Sequence, residues 1–495
     1  MIRTRLCFFI LLLTPLVVYW QTIFSDYGFR DDYAHAREVR EEPGKLVKFT
    51  ASHGRPLYGA LLETSFAKMD DIESLQWLRL VSVLLLTVLG LALWRQLNQS
   101  GWPEIEAAVI GLGITLLPAA QVAASWAISW PQVLALLLAL AGFTAIETEI
   151  ERGGLKRTIA LLGGGMIYAL AALIYQSNTL FAVVPIAAVV LVRSGREPAS
   201  DLRWGAIHAS ALLAGLLVSY LSVRLLFSYG VFHESTRMQL ETNPFTKMAW
   251  FLWQPLPNAL ALYALRDDFS VLANVVLWVA ALVTGGIIWF GYKQEVARTG
   301  VRAKTKLLLC LVVLPFLAHG VSLAAAEHSR AYRVLFALSG LVLVLLVFAL
   351  RSLHTAGRIN RVVYRGVLGL LVLTAAFTAH FNAHYLIAQP QSLEWQLIDG
   401  AVRRTPFITA TRVYVITPTL GDRTTERVFG DEFGSLSSDS EWAPKEMFKA
   451  ALYERFPVKL PPGGSYTFAS GRAVPDEKAY DLVIDMRKLK QQQER

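Results

Sequence analysis

Charge is scarce in this chain. Asp, Glu, Lys and Arg make up 17% of its 495 residues, against about 25% in soluble domains. A soluble protein of this length would fold as about two or three domains with polar surfaces. There are too few charges to coat them. Cysteine is rarer still. Cys7 and Cys310 are the only two, and both lie in apolar runs, which excludes a disulfide framework and a zinc site. The sequence has no Gly-rich phosphate loop, no zinc-ligand spacing and no soluble repeat. It also lacks a cleavage site after its first apolar run. Arg3 and Arg5 precede LCFFILLLTPLVVYW, and the run ends in Tyr19, Trp20 and Gln21 without an A-x-A pattern. That ending suits a membrane interface and predicts an uncleaved first helix.

Apolar residues are abundant, at 54%, and the mean hydropathy is +0.43. A spanning helix needs about 20 predominantly apolar residues. Eleven runs qualify, near 6–24, 77–95, 105–125, 131–148, 158–175, 178–192, 204–228, 271–291, 306–325, 331–350 and 364–387. Only Gln176 to Asn178 separates the fifth from the sixth. A further run at 248–265 contains Pro255 and Pro257, which predicts an interfacial or re-entrant segment. The net charge of +9 is no nucleic-acid footprint. Most of it lies in alternate short loops, at Arg5, Arg95, Arg152, Arg157, Arg193, Lys293, Arg298, Arg351 and Arg358. This bias predicts a cytoplasmic N-terminus. An odd number of spans then puts the C-terminus outside, in the periplasm of a bacterial inner membrane. The expected fold is an all-α polytopic membrane body of about 11 transmembrane helices over 1–387, with a first outer loop at 25–76. A small α/β extracytoplasmic tail follows over 388–495. In the tail, Arg412 to Thr419 and Asp481 to Met486 read as strands, 391–404 and 444–456 as helices, and the Gly-Ser stretches 434–440 and 463–471 as turns or loops.

The first outer loop begins FSDYGFRDDYAHAREVREE. Asp31 and Asp32 are adjacent acids just outside the first span, surrounded by Arg30, His35 and Arg37. One such carboxylate can act as a base while the other positions a metal, a hydroxyl or its partner. Alternatively, the pair opens the amphipathic helix that follows. The loop continues through ASHGRPLYGALLE, where His53 and Arg55 sit at a Gly-Pro turn and could hold a phosphate or face lipid headgroups. The acid pairs Asp70–Asp71 and Asp267–Asp268 each precede a span and read as helix caps. In AEHSRAYR, His328, Arg330 and Arg333 crowd a short outer loop, against the charge bias elsewhere. Arg330 and Arg333 are one helical turn apart and could face one phosphate, or snorkel to headgroups. Tyr175 and Gln176 lie at a tight outer turn, where they could hydrogen-bond a sugar or simply close a hairpin. Span interiors read as almost free of charge, Arg224 being an exception.

The order of these features resembles the GT-C superfamily of membrane glycosyltransferases. They are a first span, an acidic pair in a long outer loop, GRPLYG, many spans and an outer tail. FRDDYAHA, HGRPLYG and IYQ are most similar to the Gtr-type O-antigen glucosyltransferases that modify lipopolysaccharide. The resemblance is strongest over residues 20–190. It implies a polyprenyl-phosphate sugar donor, used on the periplasmic face with inversion, and a glycan acceptor that is lipid-linked or on the cell surface. The sugar would be a hexose, with glucose implied. Asp31 or Asp32 would be the general base, and Arg330 and Arg333 would meet the donor phosphate by topology alone. The acids stand as DD and not as a spaced D-x-D, so a divalent cation (magnesium or manganese) on Asp31 and Asp32 stays open. Two other readings remain: a lipid-linked sugar flippase or transporter, and an O-antigen polymerase or ligase.

Overall fold

The computed structural model describes residues 2–493 except 153, 194–197, 268, 426, 458–459 and 477. Asp268 of the third acid pair lies outside the described residues.

The chain opens with α1 (Ile2–Phe24), which leads to three short helices, α2 (Asp31–Glu41), α3 (Lys45–Ser52) and α4 (Pro56–Phe66). These cap one end of the body, called the near end below. Then come α5 (Leu75–Gln99), α6 (Glu104–Thr115), α7 (Pro118–Ser125), α8 (Trp130–Glu149), α9 (Gly154–Thr179), α10 (Val183–Val192) and α11 (Pro198–Ser228). Among the described residues, eight helical segments are long and apolar enough to cross a membrane. α6 and α7, bent by 50°, make a ninth as a pair. The bend falls where Pro118 starts α7, because proline has no N–H to continue the ladder.

One of the eight, Gly154–Val192, is a hairpin. Tyr175 leaves the helical region at φ −155 and ψ 104. Arg193, just past the end, pairs with Glu147 at 3.7 Å and Glu151 at 3.3 Å. Both ends therefore sit beside the far end of α8, and the fifth and sixth runs are separate passages.

Past α11 the near end carries α12 (Pro244–Trp253) and α13 (Pro255–Leu260), each begun by a proline in its first turn. This is the interrupted run at 248–265. α14 (Val275–Thr299) returns to the far end. The run at 306–325 is not a regular helix. It is divided into α15 (Val301–Leu308), a π-helical turn at Leu309–Val313, α16 (Leu314–Ala318) and α17 (Gly320–Ala324). Lys306 bonds the Arg193 carbonyl at the far end, and Ala325 pairs with Leu240 at the near end, so this broken segment still traverses the body. α18 (Phe336–Thr355) is the central helix, and most of its residues are buried. α19 (Arg361–Ala383) runs through a π-turn straight into α20 (Gln389–Arg404), so the boundary expected near 387 lies inside a continuous helix.

The tail has β1 (Ala410–Ile416), α21 (Ala443–Arg455), β2 (Ser465–Gly471), β3 (Leu482–Asp485) and the short α22 (Leu489–Gln493). Its sheet is parallel, in the order β2-β1-β3. Thr411, Val413 and Val415 on β1 are buried in alternation, as expected for a strand with one covered face. The stretch 463–471, expected as a loop, is β2. Tyr466 and Phe468 alternate with small polar residues, and they pack on Phe448 of α21. The hydrophobic core is continuous from α1 through α18 to Val413 and Phe448, so the tail is joined to the body by packing.

Candidate functional site

The first loop is placed by a buried arginine. Arg79 of α5 has no exposed surface. It donates to the carbonyls of Ile23 at 3.1 Å, Ser25 at 2.6 Å and Tyr27 at 2.8 Å, and stacks on the Tyr27 ring at 4.1 Å. These bonds fix the chain where α1 ends. Arg30 then takes φ 48, a conformation that L side chains rarely adopt. Its N–H donates to Ser437 Oγ at 2.9 Å, and its guanidinium to Asp431.

α2 starts at Asp31, and the two acids part company there. Asp32 is fully buried. It accepts from Phe29 N at 2.9 Å and from Ile128 N at 3.2 Å. Burial pushes its carboxyl up to about 7, against the pull of these N–H groups and Arg79. Asp31 is half-buried, and among the described residues its carboxylate accepts no hydrogen bond and makes no ion pair. Asp32 thus performs the structural task at the helix start, and Asp31 is left free. His35 is buried, and burial pushes its imidazole down, while Asp31 and Glu38 pull it up. Asp71 and Asp267 close turns ahead of the next helices, accepting from Ser74 N and from Phe269 N, each at 2.8 Å, and neither is the helix cap expected from the sequence.

Ile128, in the turn between α7 and α8, links the acids to a second cluster. Its N–H is held by Asp32, and its carbonyl accepts from Tyr58 Oη at 2.9 Å. The Tyr58 ring lies 6.1 Å from that of Tyr175. The guanidinium of Arg55 sits over Tyr175 at 4.3 Å. Its Nε donates to Gln176 Oε1 at 3.1 Å, and Gln176 Nε2 donates to the Gly54 carbonyl at 2.6 Å. Gly54 has φ +77, and a Cβ there would meet Met238 Sδ at 2.9 Å and Gln176 Nε2 at 3.0 Å, so the turn requires glycine. On the other side, Arg333 lies over Trp126 at 5.1 Å and pairs with Glu432 at 2.8 Å. Burial disfavours the charge of Arg333, but Glu432, Tyr175 and Asp431 outweigh it and hold the guanidinium above its usual range.

Several of these groups line a cavity of about 300 Å³. Its polar lining includes His53, Arg55, Tyr175, Gln176, Arg237 and Arg333, with one acid, Glu327. Leu216, Tyr220 and Val223 of α11 and Val321 of α17 line it as well. Leu217 and Leu221, the α11 neighbours of Tyr220, are 56% and 55% exposed on the apolar outside of the body. His53 is half-buried and pushed down by burial.

Of the residues singled out from sequence, His53, Arg55, Tyr175, Gln176 and Arg333 share this cavity. Asp31, Asp32, Arg30 and His35 lie beside it, joined through Ile128, Tyr58 and the 430–434 turn. His328 and Arg330 do not line it. The helical turn expected to align Arg330 with Arg333 is not formed. Residues 326–331 are irregular, and only Tyr332–Val334 makes a 3-10 turn. Arg330 therefore stays exposed while Arg333 turns inward. His328 stacks on Trp250 at 5.1 Å and faces Glu241 at 3.5 Å.

Sequence reasoning passed over Arg79, Arg237 and Glu432. Arg79 carried a signal, since it is a charge inside an apolar run. Arg237 and Glu432 stand in polar loops with no pattern of their own. Among the described residues, no three His, Cys, Asp or Glu side chains converge. The oxygens of Asp32 are engaged by backbone N–H groups.

No family model and no curated protein matches the sequence. Solved structures similar to the chain include three of the archaeal oligosaccharyltransferase of Archaeoglobus fulgidus. The complex of AglB with an inhibitory peptide and a dolichol-phosphate has a TM-score of 0.40 at 11% identity, covering 93% of this chain and 63% of that one. The complex with zinc and sulfate has a TM-score of 0.43 at 10% identity, covering 96% and 62%. The apo form has a TM-score of 0.43 at 11% identity, covering 96% and 64%. The chain thus spans less than two thirds of the length of these structures.

Proposed function

We propose that the chain is a GT-C-type membrane glycosyltransferase. It moves a hexose, glucose by the Gtr-type resemblance, from a polyprenyl-phosphate to a glycan acceptor on the periplasmic face of a bacterial inner membrane. One observation carries this reading. A cavity lined by Arg55, Arg237 and Arg333 together with apolar residues of α11 and α17 is connected through Tyr58, Ile128 and Asp32 to the helix start that carries Asp31. A lipid phosphate has the matching chemistry, with an anionic head for the arginines and a chain for the apolar flank. The charge bias of the short loops supports a cytoplasmic far end and a periplasmic site.

In this reading Asp31 takes the proton of the acceptor hydroxyl as its oxygen attacks the anomeric carbon. The bond from that carbon to the phosphate oxygen breaks on the opposite face, which inverts the centre. The electron pair leaves with the phosphate, and Arg55 and Arg333 stabilise the charge that grows there. Asp32, Tyr58 and Ile128 hold the base in line. No step runs through a metal.

The test uses purified protein in nanodiscs, a labelled polyprenyl-phosphate hexose and a lipid-linked glycan, without nucleotide sugar. The expected result is transfer of label to the glycan, unchanged by a chelator. Movement of label across the bilayer with no new bond would instead support a flippase. Joining of whole glycan units would support a polymerase or ligase.

A further inference from the structure

The tail enters the site through one tight turn, GDEFG at 430–434. Gly430, Asp431 and Gly434 have φ of 54, 56 and 75, so three of its five residues lie in the left-handed region. Gly434 admits no side chain, since a Cβ would meet the Arg427 carbonyl at 2.2 Å. Asp431 holds this conformation without being glycine, which persists only where the surroundings impose it. Those surroundings are visible. Phe429 and Phe433 exchange backbone bonds at 2.8 and 3.1 Å, Gly434 N donates to the Leu386 carbonyl at 2.7 Å, and Phe433 packs edge-on against Tyr332.

The turn presents two adjacent acids to two separate arginines. Asp431 takes Arg30 at 3.2 Å by its carboxylate and at 2.7 Å by its carbonyl. Glu432 is fully buried. Its Oε2 accepts from Tyr332 N at 2.9 Å, and its Oε1 from Arg333 Nη1 at 2.8 Å. It fastens both the backbone under Arg333 and the guanidinium itself. Glu432 is not part of the cavity wall, whereas Arg333 is.

We propose that the 430–434 turn is a positioning device of the tail, in which Asp431 fastens the first loop through Arg30 and Glu432 aims Arg333 at the donor phosphate. The donor part rests on the glycosyltransferase reading. Glu432 is a positioning residue, because it acts through Arg333. Its role needs a carboxylate. A glutamine could accept one of the two bonds, but its NH2 would face the other donor.

The test compares wild type, E432Q, R333Q and the double variant, as full chains in nanodiscs, with polyprenyl-phosphate glucose as donor. E432Q is expected to raise donor KM about tenfold with little change in kcat, and to add almost nothing in the R333Q background. E432D, which keeps the carboxylate, is expected to recover most of the loss. Equal fold-changes in both backgrounds, or an unchanged donor KM, would overturn the proposal. A second measurement does not need activity. Phenylglyoxal labelling of Arg333, read by mass spectrometry, is expected to rise several-fold in E432Q, because the guanidinium loses the carboxylate that holds it in a charge-assisted hydrogen bond. Unchanged labelling in folded E432Q would overturn the proposal even if wild type transferred no sugar. Absence of transfer by wild type would count against the glycosyltransferase reading alone.

Discussion

The two adjacent aspartates should respond in opposite ways to the same substitution. Asp31→Ala removes a half-buried carboxylate that has no hydrogen-bond or ion-pair partner among the described residues. Its effect on stability is expected to stay within about 0.5 kcal/mol, as for substitutions away from packing and networks. Its effect on transfer is expected to be large, since a positioned general base contributes about 10²–10⁴-fold. That corresponds to roughly 3–5 kcal/mol of barrier at about 1.36 kcal/mol per tenfold. Asp32→Ala strands two buried donors, Phe29 N and Ile128 N, which it holds at 2.9 and 3.2 Å. Each unsatisfied donor costs about 1–3 kcal/mol, against which relief of the buried charge is a partial offset. The assay pairs thermal unfolding in nanodiscs with transfer of labelled hexose from the lipid phosphate. Asp31→Ala should melt like wild type and fail to transfer. Asp32→Ala should melt lower. If Asp31→Ala kept full transfer, or if it lost as much stability as Asp32→Ala, the division of labour between the two acids would be refuted.

Two more expectations follow from the geometry. Gly54→Ala adds a Cβ at φ +77, between Met238 and Gln176, with a conformational cost of about 1–2 kcal/mol. It should displace Gln176 and with it Arg55, which kinetics would read as a raised donor KM with the fold retained. The stability that two buried carboxyls contribute should also fall as pH rises toward neutrality. Burial pushes Asp32 and Glu454 up to about 7, above their unfolded values near 4. A raised carboxyl contributes stability that is fully present below the unfolded value and lost as pH climbs through the folded one. Melting curves of wild type and Glu454→Gln between about pH 4 and 7 should differ by this decline, while the buried His35 and His53 act in the opposite sense in both proteins. Equal pH slopes in wild type and Glu454→Gln would contradict the burial of Glu454.

Much of the architecture was legible from the order of residues. Apolar runs of spanning length force helices, because backbone groups in hydrocarbon must be paired within the segment. This held through the hairpin at Tyr175, where only three polar residues marked a reversal. It was weaker at 306–325, where the apolar content was right but Pro315 and the π-turn break the helix. β2 was missed because its Gly and Ser outweighed the alternation of Tyr466 and Phe468. In the site, the acidic pair, the Gly-Pro turn and the Tyr-Gln turn were each visible as local exceptions to an apolar background.

What the sequence determined alone is therefore the set of helices, the charge asymmetry between their two ends and a short roster of polar residues worth attention. Composition and period decide these, and both are local. Only the tertiary structure decided which of Asp31 and Asp32 is buried, which of Arg330 and Arg333 turns inward, and that Glu432 of the tail meets Arg333 about a hundred residues away. Each of these depends on what lies opposite in space. Ile128 N waits for one acid and not its neighbour, and an irregular 326–331 segment breaks the helical register that would have aligned both arginines.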